Sequence, residues 1–243
     1  MRAVWLAVED AGAIGRHRML HLRMDLNPLH FPDIAREMPN WLALSATAAG
    51  ALLGGMLGRE RSPKVDIAGL VILAGVLGYG GGLIRDILIG NTPPAAFVDP
   101  AYTVVVGICV VAVLLFGRFF SRFKGVLIVL DALTLGLFAA VGAQAALSVG
   151  LPGVSAVVIG VFAATGGGVL AALLLDERPQ IMVPGPPYVV VAFAGAVLFV
   201  LIDPVSGGLA TLACLTVVTI GRVFTWRRGM HTPPAPPVPP PGA

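Results

Sequence analysis

The sequence predicts an all-α membrane protein with seven transmembrane helices, six of them forming two inverted three-helix repeats and the last standing as a C-terminal helix. Three observations carry that prediction. Of the 243 residues, 57% are hydrophobic and only 12% charged, about half the charged fraction of an ordinary soluble domain. From Trp41 onward, apolar stretches follow one another with only short polar breaks, and ~20 mostly apolar residues are enough for a helix to cross a bilayer. A triple glycine occurs twice, at Gly80-Gly81-Gly82 and, 86 positions later, at Gly166-Gly167-Gly168.

Residues 1–40 form an N-terminal extension. Its apolar start, Ala3 to Val8, is interrupted by Glu9 and Asp10 before it reaches the length of a signal-peptide core, so no cleaved signal is expected; Met38 is an alternative start. Arg2, Arg16, Arg18, Arg23 and Arg36 balance Glu9, Asp10, Asp25, Asp33 and Glu37, which fits a short surface helix or a disordered tail. The transmembrane domain spans residues 41–228. Its apolar spans are Trp41 to Leu57, Ile67 to Ile89, Tyr102 to Phe120, Val126 to Leu147, Val154 to Leu175, Tyr188 to Ile202 and Leu209 to Phe224. Repeat one covers about residues 41–121, repeat two about 125–203, and the seventh helix about 208–226. The tail, residues 229–243, ends in a proline-rich run that can form neither a helix nor a packed core.

The net charge of +3 raises the question of nucleic acid, but the basic residues lie in short loops between apolar spans, where they orient membrane helices, so no nucleic-acid partner is expected. The expected surroundings are the lipid bilayer. Cys109 and Cys214 fall inside apolar stretches with no ligand cluster near them in sequence, so neither a disulfide nor a metal site is expected.

The two glycine motifs look like a duplication. After Gly82 the chain reads Leu83-Ile84-Arg85-Asp86-Ile87-Leu88-Ile89-Gly90-Asn91-Thr92-Pro93, and after Gly168 it reads Val169-Leu170-Ala171-Ala172-Leu173-Leu174-Leu175-Asp176-Glu177-Arg178-Pro179. Leu88 matches Leu174 and Pro93 matches Pro179 at the same offset, and Gly50-Ala51 corresponds loosely to Gly142-Ala143. Each repeat crosses the membrane an odd number of times, so the second copy enters from the opposite side, as in many transporters that place a site where inverted repeats meet.

Glycine weakens a helix by about 1 kcal/mol relative to alanine, so three in a row need a reason. Isolated glycines such as Gly50, Gly54 and Gly142 fit close helix packing. The triplets instead favour a kink or a break, and a break frees carbonyls near Val76 to Tyr79 and Phe162 to Thr165 to face a water-filled path as cation ligands. Tyr79 and Thr165 therefore join the candidate pathway. Arg85 and Asp86 follow Gly82 on roughly its face, and adjacent side chains point about 100° apart, so each is expected to find a partner elsewhere rather than pair with the other. They face either an internal pathway or the interface by snorkelling. Asp131, early in span four, is either an interfacial acid or a pathway-lining group; Gln144, deeper in that span, is expected to bridge helices. No G-x-G-x-x-G fingerprint is present, because Gly78 and Gly80 are followed by Leu83. No nucleophile, base and orienting residue converge, so neither an enzyme nor a cofactor is expected.

At GGGLIRDILIGNTPP, with GGGVLAALLLDERP in the second repeat, the chain resembles the bacterial branch of the trimeric intracellular cation channel (TRIC) family, also named for its glycine-transporter domain. The resemblance covers roughly Trp41 to Arg227. It implies a homotrimer with an ion pathway inside each protomer, bent second and fifth helices, and potassium and sodium as permeant ions. One departure stands out: bacterial members commonly repeat the Arg-Asp pair, whereas this chain has Ala171-Ala172. The resemblance also leaves a small-solute, glycine-like transporter as the alternative reading.

Orientation follows from lysine and arginine. The loops after spans one, three and five and the C-terminus hold Arg59, Arg61, Lys64, Arg118, Arg122, Lys124, Arg178, Arg222, Arg227 and Arg228, while those after spans two, four and six hold none. The N-terminus is therefore expected outside and the C-terminus in the cytoplasm of an inner, or plasma, membrane. A reporter fused after Arg228 should behave as cytoplasmic, and a cysteine introduced near Asp99 or Gly150 should react with an impermeant reagent from outside. Protection at both sites would refute this topology.

Overall fold

Six helices are long and apolar enough to span a bilayer in the computed structural model, which describes residues 40–61, 65–120, 122 and 125–232. The N-terminal extension up to residue 39 and the proline-rich run from residue 233 lie outside the described residues. All described residues fall in one unit, Ile34–Ala243. The helices are α1 (Asn40–Glu60), α2 (Ile67–Leu88), the single turn α3 (Ala95–Val98), α4 (Pro100–Phe120), α5 (Val126–Ser148), α6 (Gly153–Leu174), α7 (Tyr188–Ile202) and α8 (Gly207–Arg227). A 3-10 turn at Gln180–Met182 precedes α7. At 15 residues, α7 is the short apolar helix beside six spans.

Repeat one is α1, α2 and α4; repeat two is α5, α6 and α7. Alternating crossings bring the α2–α4, α5–α6 and α7–α8 connections to one end of the bundle, the near end, and the α1–α2, α4–α5 and α6–α7 connections to the far end. In each repeat the first two helices pack closely, α1 on α2 and α5 on α6, and α2 also lies against α6. The first helix of each repeat is the most buried, with 67% of the α1 window and 56% of the α5 window inside the protein, against 28% for α4 and α8. The core is therefore the contact between the repeats, while α4 and α8 present apolar faces outward, including Leu115, Phe116, Leu212 and Ile220.

Local sequence sets the helix ends. Asp66 caps α2 by accepting the Gly69 N–H at 2.7 Å, and Ser206 caps α8 through Leu209. The repeat shows in the way α2 and α6 stop. The Asn91 N–H reaches the Asp86 carbonyl at 2.8 Å beside Gly90 at φ +75°, and the Glu177 N–H reaches the Ala172 carbonyl at 2.9 Å beside Asp176 at φ +55°. Both are Schellman-type endings, and Asp176, whose short polar side chain tolerates the left-handed region, stands where repeat one has glycine.

The expected helix break is not found. Both glycine triplets lie inside unbroken helices, α2 and α6. The glycines serve close approach instead. A Cβ on Gly80 would lie 2.8 Å from the Gly167 Cα; one on Gly81 would strike the Ala163 carbonyl oxygen and the Phe138 ring; one on Gly166 would strike the Ile84 side chain. Missing side chains let α2 and α6 touch backbone to backbone, and in lipid a helix keeps its internal hydrogen bonds because no water competes for them. The isolated glycines do pack as expected: a Cβ on Gly50 or Gly54 would strike the Leu77 or Leu73 carbonyl, and one on Gly142 would lie 2.9 Å from the Gly160 Cα.

Gly81→Leu should therefore overpack the crossing, at a cost of about 1–3 kcal/mol or more, and lower both the thermal midpoint and the monodisperse yield in detergent. Gly107→Leu, on the exposed side of α4 where an added Cβ meets no described atom within 4 Å, should leave both unchanged.

Candidate functional site

The third glycine of each triplet behaves differently from the first two. An added Cβ at Gly82 would meet no described atom within 4 Å, and one at Gly168 would meet only the Tyr188 hydroxyl, at 3.6 Å. Both glycines are half-buried, whereas Gly80, Gly81, Gly166 and Gly167 are buried. The first two glycines hold the helices together; the third leaves open space at Gly82 and at Gly168 leaves room for a Cβ in ordinary contact with the Tyr188 hydroxyl.

At the near end that space is a cavity of about 10 Å³, bordered by Tyr79, Gly82, Arg85, Asp86, Tyr102 and Phe138 among others, room for about one water molecule. Arg85 and Asp86 are 6% and 1% exposed, which rules out snorkelling. They also pair with each other, contrary to expectation: Arg85 Nε donates to Asp86 Oδ1 at 2.7 Å and Nη2 approaches the same oxygen at 2.6 Å. The arginine side chain is long enough to fold back over the 100° between neighbouring positions, and two buried charges gain more by pairing than by standing apart. Asp86 Oδ2 accepts the Ala95 N–H at 2.9 Å, so one carboxylate holds the arginine and secures the start of α3.

A second cluster lies at the far end. Asp131 Oδ2 accepts from Arg222 Nε at 3.0 Å, with Nη2 at 2.9 Å. The Tyr188 hydroxyl is 3.4 Å from Asp131 Oδ1, and the Arg222 guanidinium carbon sits 4.6 Å from the centre of the Tyr188 ring, a cation–π contact. Arg222 Nη2 donates to Gln180 Oε1 at 2.6 Å. The Asp131 and Arg222 side chains are 14% and 4% exposed. Asp131 is thus the partly buried half of an ion pair whose arginine is buried.

Tyr79 borders the near-end cavity. The Thr165 hydroxyl donates back to the Val161 carbonyl of its own helix at 2.8 Å, so its proton is engaged within α6. Ala171 and Ala172 do not form a polar site; Ala171 is packed with Leu53, Leu73 and Leu77. Gln144 does not bridge helices through its carbonyl, since Oε1 is buried with no hydrogen-bond partner among the described residues.

Sequence reasoning missed Tyr102, Gln180, Tyr188 and Arg222. A signal for the tyrosines was present: Tyr102 and Tyr188 stand at the same 86-residue offset as the glycine triplets. Arg222, counted among the loop charges, lies inside α8 and is 3% exposed. Among the described residues no group of His, Cys, Asp and Glu could hold a metal ion.

The family described as Glycine transporter matches residues 40–118 and 128–204. A curated UPF0126 membrane protein of Deinococcus radiodurans is 34% identical over 143 residues, which is 59% of this chain and 66% of that protein. The chain spans 54% of a similarly named Vibrio cholerae protein, and so about half to two thirds of the length of these curated relatives. Among solved structures, the TRIC trimeric intracellular cation channel orthologue from Rhodobacter sphaeroides superposes with a TM-score of 0.71 at 33% identity, covering 78% of this chain and 97% of that one. A second, described as a structural basis for conductance through TRIC cation channels, gives 0.71 at 25% identity over 83% of this chain and 99% of that one. With both repeats matched in sequence and the helical fold shared, the chain belongs to the TRIC, or glycine-transporter-domain, family of membrane proteins.

Proposed function

We propose that this protein is a monovalent cation channel, for potassium and sodium, of the bacterial inner membrane, working as a homotrimer with one pathway inside each protomer. The observation that carries the reading is the placement of Gly82 and Gly168, each able to take a Cβ without a close contact and each next to a cluster built on a paired arginine and aspartate, at opposite ends of one glycine-packed crossing. The likeness to solved TRIC cation channels supports it. The pathway runs between the repeats, taken as residues 41–121 and 125–203, with residues 208–226 as the added helix.

Each cluster offers a carboxylate that a permeating cation can meet once its arginine moves aside. While paired, the arginine neutralises that carboxylate and holds the way closed. Of the arginines assigned to the cytoplasmic side, Arg59, Arg61, Arg118, Arg122, Arg178, Arg227 and Arg228 gather at the far end, which under the positive-inside rule faces the cytoplasm. Arg222 is withdrawn from that count, and the orientation it favoured is unchanged.

Purified protein in planar bilayers should give unitary potassium currents. Gly82→Leu should fill the near-end cavity and lower potassium flux by about tenfold or more while the protein assembles normally, since a pathway constriction tolerates little added volume. Arg85→Ala should alter the ratio of cation to anion permeability. Saturable, ion-coupled glycine uptake without unitary currents would instead assign a solute transporter.

A further inference from the structure

Repeat two lacks its arginine and aspartate, yet the far end of the bundle is not without a buried ion pair. The two halves can be compared position by position. In repeat one, Gly82 and Tyr102 border the cavity that Arg85 and Asp86 also line. In repeat two the residues 86 positions later are Gly168 and Tyr188. They too lie together, with the Tyr188 hydroxyl 3.6 Å from a Cβ built on Gly168, and Tyr188 also touches a buried arginine and a partly buried aspartate. The glycine and the tyrosine were thus kept by duplication, while the charges arrive from elsewhere: Asp131 from the start of α5, Arg222 from α8, outside both repeats. The position that would carry the duplicated arginine, Ala171, is 1% exposed and packed against leucines, so apolar packing has taken that place.

We infer that Arg222 supplies the cation that repeat two lacks, and that its pair with Asp131 closes the far half of the pathway as Arg85 and Asp86 close the near half. The inference rests on a pathway running between the repeats. Three contacts hold Arg222 in place: the Asp131 carboxylate, the Tyr188 ring and the Gln180 carbonyl. Gln180 is exposed and Arg222 is buried, so the guanidinium links the protein interior to the surface of the far end. A guanidinium moving outward toward the Gln180 side would uncover Asp131 beside Gly168 without breaking any helix. Because the two closures use different helices, they can open independently.

The alternative role for the Arg222–Asp131 pair is a staple that joins α5 to α8 and has no effect on access to Gly168. Cysteine accessibility separates the two. Gly82 and Gly168 both accept a side chain without a close contact, so Gly82→Cys and Gly168→Cys are made singly in full-length protein whose buried Cys109 and Cys214 are replaced by alanine. Each is reconstituted in vesicles and treated with an impermeant methanethiosulfonate reagent. Asp131→Asn combined with Arg222→Gln removes both charges and keeps amide groups in their places. This pair of changes should speed modification at position 168 by about tenfold, or about 1.4 kcal/mol on the closed-to-open equilibrium, and leave position 82 within about twofold. Arg85→Gln with Asp86→Asn should do the reverse. If the neutral double variant does not assemble, Arg222→Lys, which keeps the charge but loses the fork, should raise the rate at position 168 in the same direction. An unchanged rate at position 168 makes the pair a staple and overturns the inference, as does an equal rise at both positions. The readout needs no ion flux, so a protein that shows this pattern but passes no current would refute the channel reading and leave the far-end closure standing.

Discussion

Two helices can approach backbone to backbone only where side chains are missing, and the contact of α2 with α6 through Gly80, Gly81, Gly166 and Gly167 sets the spacing of the two repeats. In water, four glycines in helix interiors would be a liability of about 1 kcal/mol each relative to alanine. In lipid the helix has no competitor for its backbone hydrogen bonds, and the apolar chain gains little by exchanging lipid for another apolar surface, so van der Waals contact at close range becomes the main reason for helices to associate. The same crossing brings Phe138 of α5 against Gly81 and Leu77 of α2 against Gly167, which ties the first helix of repeat two to the second helix of repeat one.

Once the spacing is fixed, the polar groups have few places to go. Charges inside a membrane protein must be paired or hydrogen-bonded, because hydrocarbon offers no solvation. Asp86 satisfies two demands at once, holding Arg85 and the first N–H of α3. Arg222 divides its donors between a carboxylate and an amide and rests its flat face on an aromatic ring, an arrangement a lysine does not reproduce. On the far surface, Arg61 grips both oxygens of Glu177 at 2.8 and 2.9 Å. This joins the loop after α1 to the loop after α6, and the carboxylate's hydrogen bonds raise the Arg61 pKa above its ordinary value. Being substantially exposed, that pair is worth on the order of 1 kcal/mol or less.

The spans, the repeat and its inversion were legible because they rest on composition, length and parity, which no tertiary contact alters. The glycine triplets were legible as special and were misread as breaks. Sequence shows that side chains are missing but not what occupies the space, and here another backbone does. Arg85 and Asp86 were expected apart because helical geometry separates the Cβ directions of neighbours, yet a long flexible side chain is not confined to its Cβ direction. The Asp131–Arg222 pair, 91 positions apart, leaves no local pattern, and Arg222 beside a basic C-terminus reads as one more loop charge. Asp131 stood out as an acid early in a span, and the recurrence of tyrosine at positions 102 and 188 is the other pointer toward the second cluster.

The shortness of α7 has a consequence for how the protein sits in its bilayer. Fifteen helical residues rise about 22 Å, some way short of a hydrocarbon layer of about 30 Å. The chain just before α7 exposes Ile181, Met182 and Val183. Those apolar side chains continue the apolar surface of α7 on its N-terminal side, through the 3-10 turn at Gln180–Met182. The same segment begins with Gln180, whose amide carbonyl holds Arg222. One short stretch of backbone therefore carries both the exposed apolar side chains before α7 and the amide that holds the far-end arginine.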